Sequence, residues 1–208
     1  MKKLESSLKN MLLCLAVITI VSGGLLALVN EKTKGPIEEA NKQTLQAGLK
    51  EVIPDFDNNP AEDTASVVIN GQTYIVYKAY KGGQSAGAAV ESSAGGFGGD
   101  LKVLVGFDND GKITNYRLLA HSETPGLGSK ADTWFKKGGK GDITGMSPAD
   151  GPLTVSKDGG QIDAITASTI TSRAFLNAVN SAYAAYMQQA GQSVPADAVS
   201  GASIKSDN

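Results

Sequence analysis

Five side-chain hydroxyls crowd one short stretch of this chain: Thr166, Ser168, Thr169, Thr171 and Ser172, within Asp163-Ala164-Ile165-Thr166-Ala167-Ser168-Thr169-Ile170-Thr171-Ser172-Arg173. They fall where a long helical pattern begins. Ser and Thr oxygens often satisfy the unpaired amides of a first helical turn, so an N-cap cluster is one reading. Capping needs only one or two hydroxyls. A helix N-terminus also attracts phosphate through its free N–H groups and macrodipole, which makes phosphate binding the second reading. A separate stretch, His121-Ser122-Glu123-Thr124-Pro125-Gly126-Leu127-Gly128, combines a carboxylate with a Pro-Gly turn. Such a turn lets the backbone approach a ligand closely, although alone it reads as a plain link between a strand and a helix. Glu123 there is placed either to hydrogen-bond a cofactor or to cap the short helix that follows. His121 reads as an ordinary strand-end residue, and Trp134 and Phe135 read as core, the default use of large aromatics.

What the chain lacks narrows the chemistry. It has one cysteine, Cys14, and one histidine, His121. That excludes an internal disulfide, an iron–sulfur cluster held by four thiolates and a zinc site built from Cys and His. No metal site and no catalytic residue is expected, and any redox chemistry must come from an organic cofactor. The net charge of −2 offers none of the concentrated positive charge by which proteins bind nucleic acid.

The elements that must position these residues follow from the apolar patterning. Met11 to Val29 carries no charge, and nineteen helical residues reach about 28 Å, close to the hydrocarbon thickness of a bilayer. The run exceeds the apolar region of a usual signal peptide, so a retained single-pass anchor is expected over residues 1–30. Lys2, Lys3 and Lys9 before it favour a cytoplasmic N-terminus, with the following domain on the extracytoplasmic side of the cell inner membrane. Residues 31–62 read as a membrane-proximal helix and loop, with Ile37, Ala40, Leu45, Leu49 and Ile53 near one helix face. Residues 65–69 and 73–80 form a hairpin about Asn70-Gly71. Residues 82–99, rich in Gly, Ala and Ser, read as loop. A second hairpin pairs 101–107 with 113–120, a short helix covers 131–135, a strand 153–156 and a turn 157–160. A long helix covers 171–188, with Ala174, Leu176, Ala178, Val179, Ala182, Tyr183 and Tyr186 on its apolar face. Hairpins packed with helices make residues 63–190 an antiparallel α+β domain. Residues 191–208 read as a mobile tail.

The two motifs, their order and their separation resemble the FMN-binding domain of the Rnf complex G subunit. That domain is shared with the C subunit of the sodium-pumping NADH:quinone oxidoreductase. In this family a sequence of the type D-x-x-[S/T]-G-A-T is recognised by a flavin transferase, which uses FAD, releases AMP and leaves FMN on the final Thr. The resemblance makes Asp163 the leading acid, Thr166 the middle hydroxyl and Thr169 the acceptor, with Ala167 and Ser168 departing from the pattern. It also places Glu123, Thr124, Gly126, Leu127 and Gly128 near the flavin, beside Ser168. The function it implies is that of an electron carrier in an ion-translocating ferredoxin:NAD oxidoreductase, with other membrane subunits as partners and a flavin transferase for maturation. The equivalent C subunit, and a membrane-tethered structural or ligand-binding protein without flavin, are the alternatives. Asp197-Ala198-Val199-Ser200-Gly201-Ala202-Ser203 also fits the attachment pattern but ends in Ser and precedes no helix, so Thr169 is the expected site.

Overall fold

A computed structural model describes residues 7–53 and 55–191. The second attachment-like stretch, with Ser203, and the expected tail beyond residue 191 lie outside the described residues. The chain divides into two compact units, Met1–Thr44 and Leu45–Asn208.

The first unit is helical. Helix α1 runs from Leu8 to Val52 with Pro36 inside it, so the separate anchor and membrane-proximal helix expected from the sequence are one element. The Gly35-Pro36 pair disfavours a helix interior. Good helix formers on both sides, Glu31, Lys32, Lys34, Glu38, Glu39 and Ala40, carry the helix through it. Its apolar part is long enough to cross a membrane, and none of that window is buried. Leu12, Leu13, Leu15, Ile18 and Ile20 are all more than half exposed. A core helix of a soluble protein would bury such a face.

The second unit is the expected α+β domain. Strands β1 (Thr64–Ile69), β2 (Gln72–Lys81), β3 (Gln84–Gly95), β4 (Asp100–Phe107) and β5 (Ile113–Ala120) form one sheet in that order. Every neighbouring pair is antiparallel. The β1–β2 turn places Asn70 at φ 51° and Gly71 at φ 80°, the left-handed pair that matches the twist of a two-residue hairpin.

Two expectations fail here. Residues 84–95 form the longest strand, in the centre of the sheet, rather than a loop. Their small side chains let helices approach from both sides: Ala88 and Val90 pack toward one core cluster and Ala89 toward the other. Composition therefore mimicked a loop where close packing was the cause. Residues 153–156 form no strand. Val155 makes a single parallel bridge to Ile162, and Ser156–Asp158 turn into a short 3-10 helix.

The long helix near the C-terminal end, α3 (Thr169–Gln189), covers one face of the sheet. Phe175 stacks on Phe135 with ring centroids 4.3 Å apart and meets Tyr116 edge-on at 4.6 Å. The buried Ser92 hydroxyl donates to the Ala178 carbonyl at 2.8 Å, tying the central strand to the helix. The end of α1 covers the other face, where Leu49, Val52 and Ile53 pack on Tyr77, Ala79, Ala89 and Leu104. A Cβ on Gly106 would lie 2.2 Å from the Val52 carbonyl oxygen, so helix and strand meet backbone to backbone. Thr114 donates to that carbonyl and Asn115 to the carbonyl of Glu51, partnering groups that a helix C-terminus leaves free.

Candidate functional site

Three segments meet at one end of the sheet. They are the β3–β4 loop at 96–99, the 121–128 stretch that leaves β5, and the first turn of α3. Between them lies a cleft of about 350 Å³, within the range of small-molecule sites. Phe97, Leu127 and Ile170 give it apolar walls, and Thr124, Ser168 and Thr169 give it hydroxyls. The two sequence motifs, well separated along the chain, therefore face each other across one space.

The hydroxyl cluster divides by role. Ser172 Oγ donates to the Ser168 carbonyl and accepts from Ile165 N–H, both at 2.9 Å. Thr171 Oγ1 donates to Glu123 Oε2 at 2.8 Å. These two are structural, while Thr166 is exposed and off the cleft wall. Ser168 is the N-cap residue, yet its side chain makes no capping bond. Thr169 is the first residue of α3 and half-buried. Its Oγ1 accepts from Lys157 Nζ at 3.1 Å.

The charges around Thr169 are sorted by pairing. Next to Lys157, Asp158 accepts from Arg173 Nε at 2.7 Å and Nη2 at 2.6 Å. The guanidinium holds the Asp158 carboxyl below its ordinary value. Asp158 is thus occupied by Arg173, and the Lys157 ammonium faces the hydroxyl. Just before, Ala167 has φ 62°, a left-handed conformation unusual for a residue with a Cβ. It closes a tight turn in which Ser168 N–H donates to the Ile165 carbonyl at 3.0 Å.

Glu123 is 6% exposed and has both carboxylate oxygens engaged by protein. Oε1 accepts from the amides of Phe97 at 2.8 Å and Gly98 at 3.3 Å, and Oε2 accepts from Thr171. Its bonds run to the β3–β4 loop and to α3, not to the amides of the short helix α2 (Ala131–Trp134). A Cβ on Gly128 would stand 2.4 Å from Glu123 Oε2 and 2.8 Å from Thr171 Oγ1, so only glycine fits beside the carboxylate. His121 Nδ1 accepts from Glu123 N–H at 3.3 Å, and its Nε2 lies 3.5 Å from Asp132. That arrangement makes His121 part of the strand-end scaffold.

Of the residues singled out in the sequence, Glu123, Thr124, Leu127, Gly128, Ser168 and Thr169 line the cleft, whereas Asp163, Thr166 and Gly126 do not. The Asp163 carbonyl accepts from Trp134 Nε1 at 2.8 Å. Trp134 is half-buried against the core, and Phe135 is wholly buried. Three contributors escaped the sequence reading. Lys157 sat in what looked like a turn, and nothing local tied it to Thr169. Ile170 was passed over as part of the motif. Phe97 did carry a signal, as a lone aromatic between Gly95-Gly96 and Gly98-Gly99. Among the described residues, no group of three or more His, Cys, Asp or Glu side chains is placed to hold a metal ion.

Comparison with known proteins agrees with this anatomy. Residues 96–184, which contain the whole cleft, match the FMN-binding domain family, and residues 1–52 match the RnfG N-terminal region. The G subunit of the ion-translocating oxidoreductase complex of Aliivibrio fischeri is 34% identical over 85% of this chain and 89% of its own length. Its namesake from Vibrio cholerae is 36% identical over 82% and 86%. Among solved structures, the C subunit of the Na(+)-translocating NADH-quinone reductase from Parabacteroides distasonis is 22% identical. The match covers 63% of this chain and 67% of that one, with a TM-score of 0.43.

Proposed function

This chain belongs to the family of G subunits of ion-translocating oxidoreductase complexes, and on that basis we propose that it relays electrons within an Rnf-type complex through FMN esterified to Thr169. The cleft's donor set supports the reading. A phosphate at Thr169 would meet the Lys157 ammonium and the free amides of the first α3 turn, which favour anions. The apolar walls at Phe97, Leu127 and Ile170 suit a planar ring system. When bound, the flavin supplies the redox chemistry, and the protein supplies position and electrostatics.

Attachment follows the family pattern. The Thr169 oxygen forms a bond to the phosphorus that remains with FMN, the pyrophosphate bond of FAD breaks, AMP leaves, and the hydroxyl proton is released. A flavin transferase performs this step. Within the acceptor segment, the Ser168 hydroxyl makes no capping bond and the turn at Ala167 is tight, so Thr169 stands at the head of the helix on the cleft wall. The neighbouring Thr171 hydroxyl does not compete as acceptor, because it is bonded to the buried Glu123.

The protein is anchored by the apolar part of α1 in the cell inner membrane, with the flavin domain on the extracytoplasmic side and other membrane subunits as partners. The unburied apolar surface of α1 and the basic residues before it support this placement. The observation that carries the whole reading is the meeting of both motifs at a cleft with Thr169 on its wall.

The test is attachment. Thr169→Ala, coexpressed with a flavin transferase, is expected to abolish covalent flavin while the domain still folds. Loss of one hydroxyl at a helix start costs about 0.5–2 kcal/mol. Ser203→Ala is expected to retain flavin. Fluorescence of denatured protein in a gel and the mass of the modified peptide read both. Retention of flavin by Thr169→Ala together with its loss from Ser203→Ala would transfer the assignment to the C-terminal stretch.

A further inference from the structure

The loop joining β3 to β4 holds an apolar ring in the open. Phe97 is 71% exposed, although the backbone around it is fixed. Phe97 and Gly98 both donate their amides to the buried Glu123 carboxylate, and Gly96 N–H donates to the Gly99 carbonyl at 2.9 Å. The flanking glycines admit no side chain. A Cβ on Gly96 would lie 2.1 Å from Glu123 Oε1, and one on Gly98 would lie 2.1 Å from the Ser122 carbonyl oxygen. The bonds that hold this tip are made by backbone amides and do not involve the Phe97 ring. The tip carries phenylalanine, directed to a cleft whose other large exposed apolar residues are Leu127 and Ile170.

We propose that Phe97 is the aromatic surface against which the flavin ring packs, and that Glu123 is the positioning residue that keeps it there. The inference rests on the flavin reading of the cleft and extends it to a residue outside both of the sequence motifs that meet there. Aromatic rings gain from offset or edge-to-face contact with other π-systems beyond the area they bury. A ring that is already exposed and rigidly presented gains that contact without a conformational change, since its backbone is ordered by Glu123. Thr171 completes the clamp: through Glu123 Oε2 it links the Phe97 loop to the helix that begins at Thr169. One carboxylate therefore sets the distance between the phosphate end of the cleft and its aromatic wall.

The test uses the full-length, flavin-loaded protein in detergent. A Trp ring in contact with a flavin quenches its fluorescence by electron transfer, whereas a Phe ring, much harder to oxidise, only shields it from quenchers in solution. Phe97→Ala is expected to keep full flavin stoichiometry by mass and to increase quenching of the native flavin fluorescence by iodide several-fold. Phe97→Trp is expected to lower native flavin fluorescence several-fold below wild type. Glu123→Gln leaves the aromatic ring present but weakens its clamp, and is expected to increase iodide quenching by a smaller factor. Unchanged iodide access in Phe97→Ala together with unchanged fluorescence in Phe97→Trp would overturn the proposal, and would mean that Phe97 meets a partner subunit or lipid instead. Wild-type protein without covalent flavin would sink the attachment reading as well, an outcome that mass alone distinguishes.

Discussion

At Ala167 the backbone takes a conformation its side chain disfavours. A left-handed φ of 62° costs a non-glycine residue about 1–2 kcal/mol. Ala167→Gly would remove that strain but widen the unfolded ensemble, which takes back about 0.4–1 kcal/mol. A net gain of about 0.5–1 kcal/mol is expected, seen as a rise in Tm of a few degrees with flavin attachment unaffected. A lower Tm would show that the turn depends on the methyl group. The attachment pattern has glycine at this position, and the backbone supplies the reason: the turn needs a left-handed residue immediately before the N-cap. The place of Thr169 at a helix start was legible in the sequence, whereas the left-handed turn at Ala167 was not read from it. Nor was the partition among the hydroxyls. Which of Thr166, Ser168, Thr169, Thr171 and Ser172 is bonded and which faces the cleft depends on Glu123, 48 residues before Thr171, and on Lys157 beyond a turn. No local pattern records contacts of that range.

The junction between helix and sheet is a matter of elements. Glu51, near the end of α1, accepts from Arg117 Nη1 of β5 at 2.7 Å and also pairs with Lys136. Burial pushes its carboxyl up, but the hydrogen bonds from Lys136 and Arg117 and their charges outweigh it, so the group sits below its ordinary value. A depressed carboxylate contributes stability above its unfolded pKa and loses it as pH falls through the folded value. Glu51→Gln is therefore expected to destabilise the domain by about 1 kcal/mol at pH 7, a partly exposed pair being worth little more. The gap should close once the pH is low enough to neutralise the wild-type carboxyl as well. Urea midpoints at neutral and strongly acid pH measure it, and an equal gap at both would show that shape rather than charge matters there. Sequence reading recovered the elements unevenly, for physical reasons. The hairpins about Asn70-Gly71 and Asp108–Gly111 announced themselves by turn chemistry, and α3 by its periodicity. Strand β3 stayed hidden because Ala, Ser and Gly, which there admit a helix on one face and a helix end on the other, are also the residues of loops.

For the molecule as a whole, the first buried residue of α1 is Gly48, and Leu45 packs at the edge of the core beside it. A chain lacking residues 1–36 keeps every core contact, since the second unit begins at Leu45. It is expected to be soluble without detergent and to melt at the same temperature as the domain in the full chain, whereas the intact protein should require detergent for extraction. A large drop in Tm would show that the anchor helix stabilises the domain. The sheet has one further property. Each strand pairs only with its neighbours in sequence, the local wiring associated with fast folding. During synthesis each hairpin can close once its second strand has emerged, and all five strands precede α3. Thr169 thus arrives on the last element of the described fold, after the sheet that backs it exists. With Thr169 as the proposed acceptor, interrupted chains that stop short of α3 would offer a transferase nothing to modify, and the order of manufacture itself would reserve the flavin for finished domains.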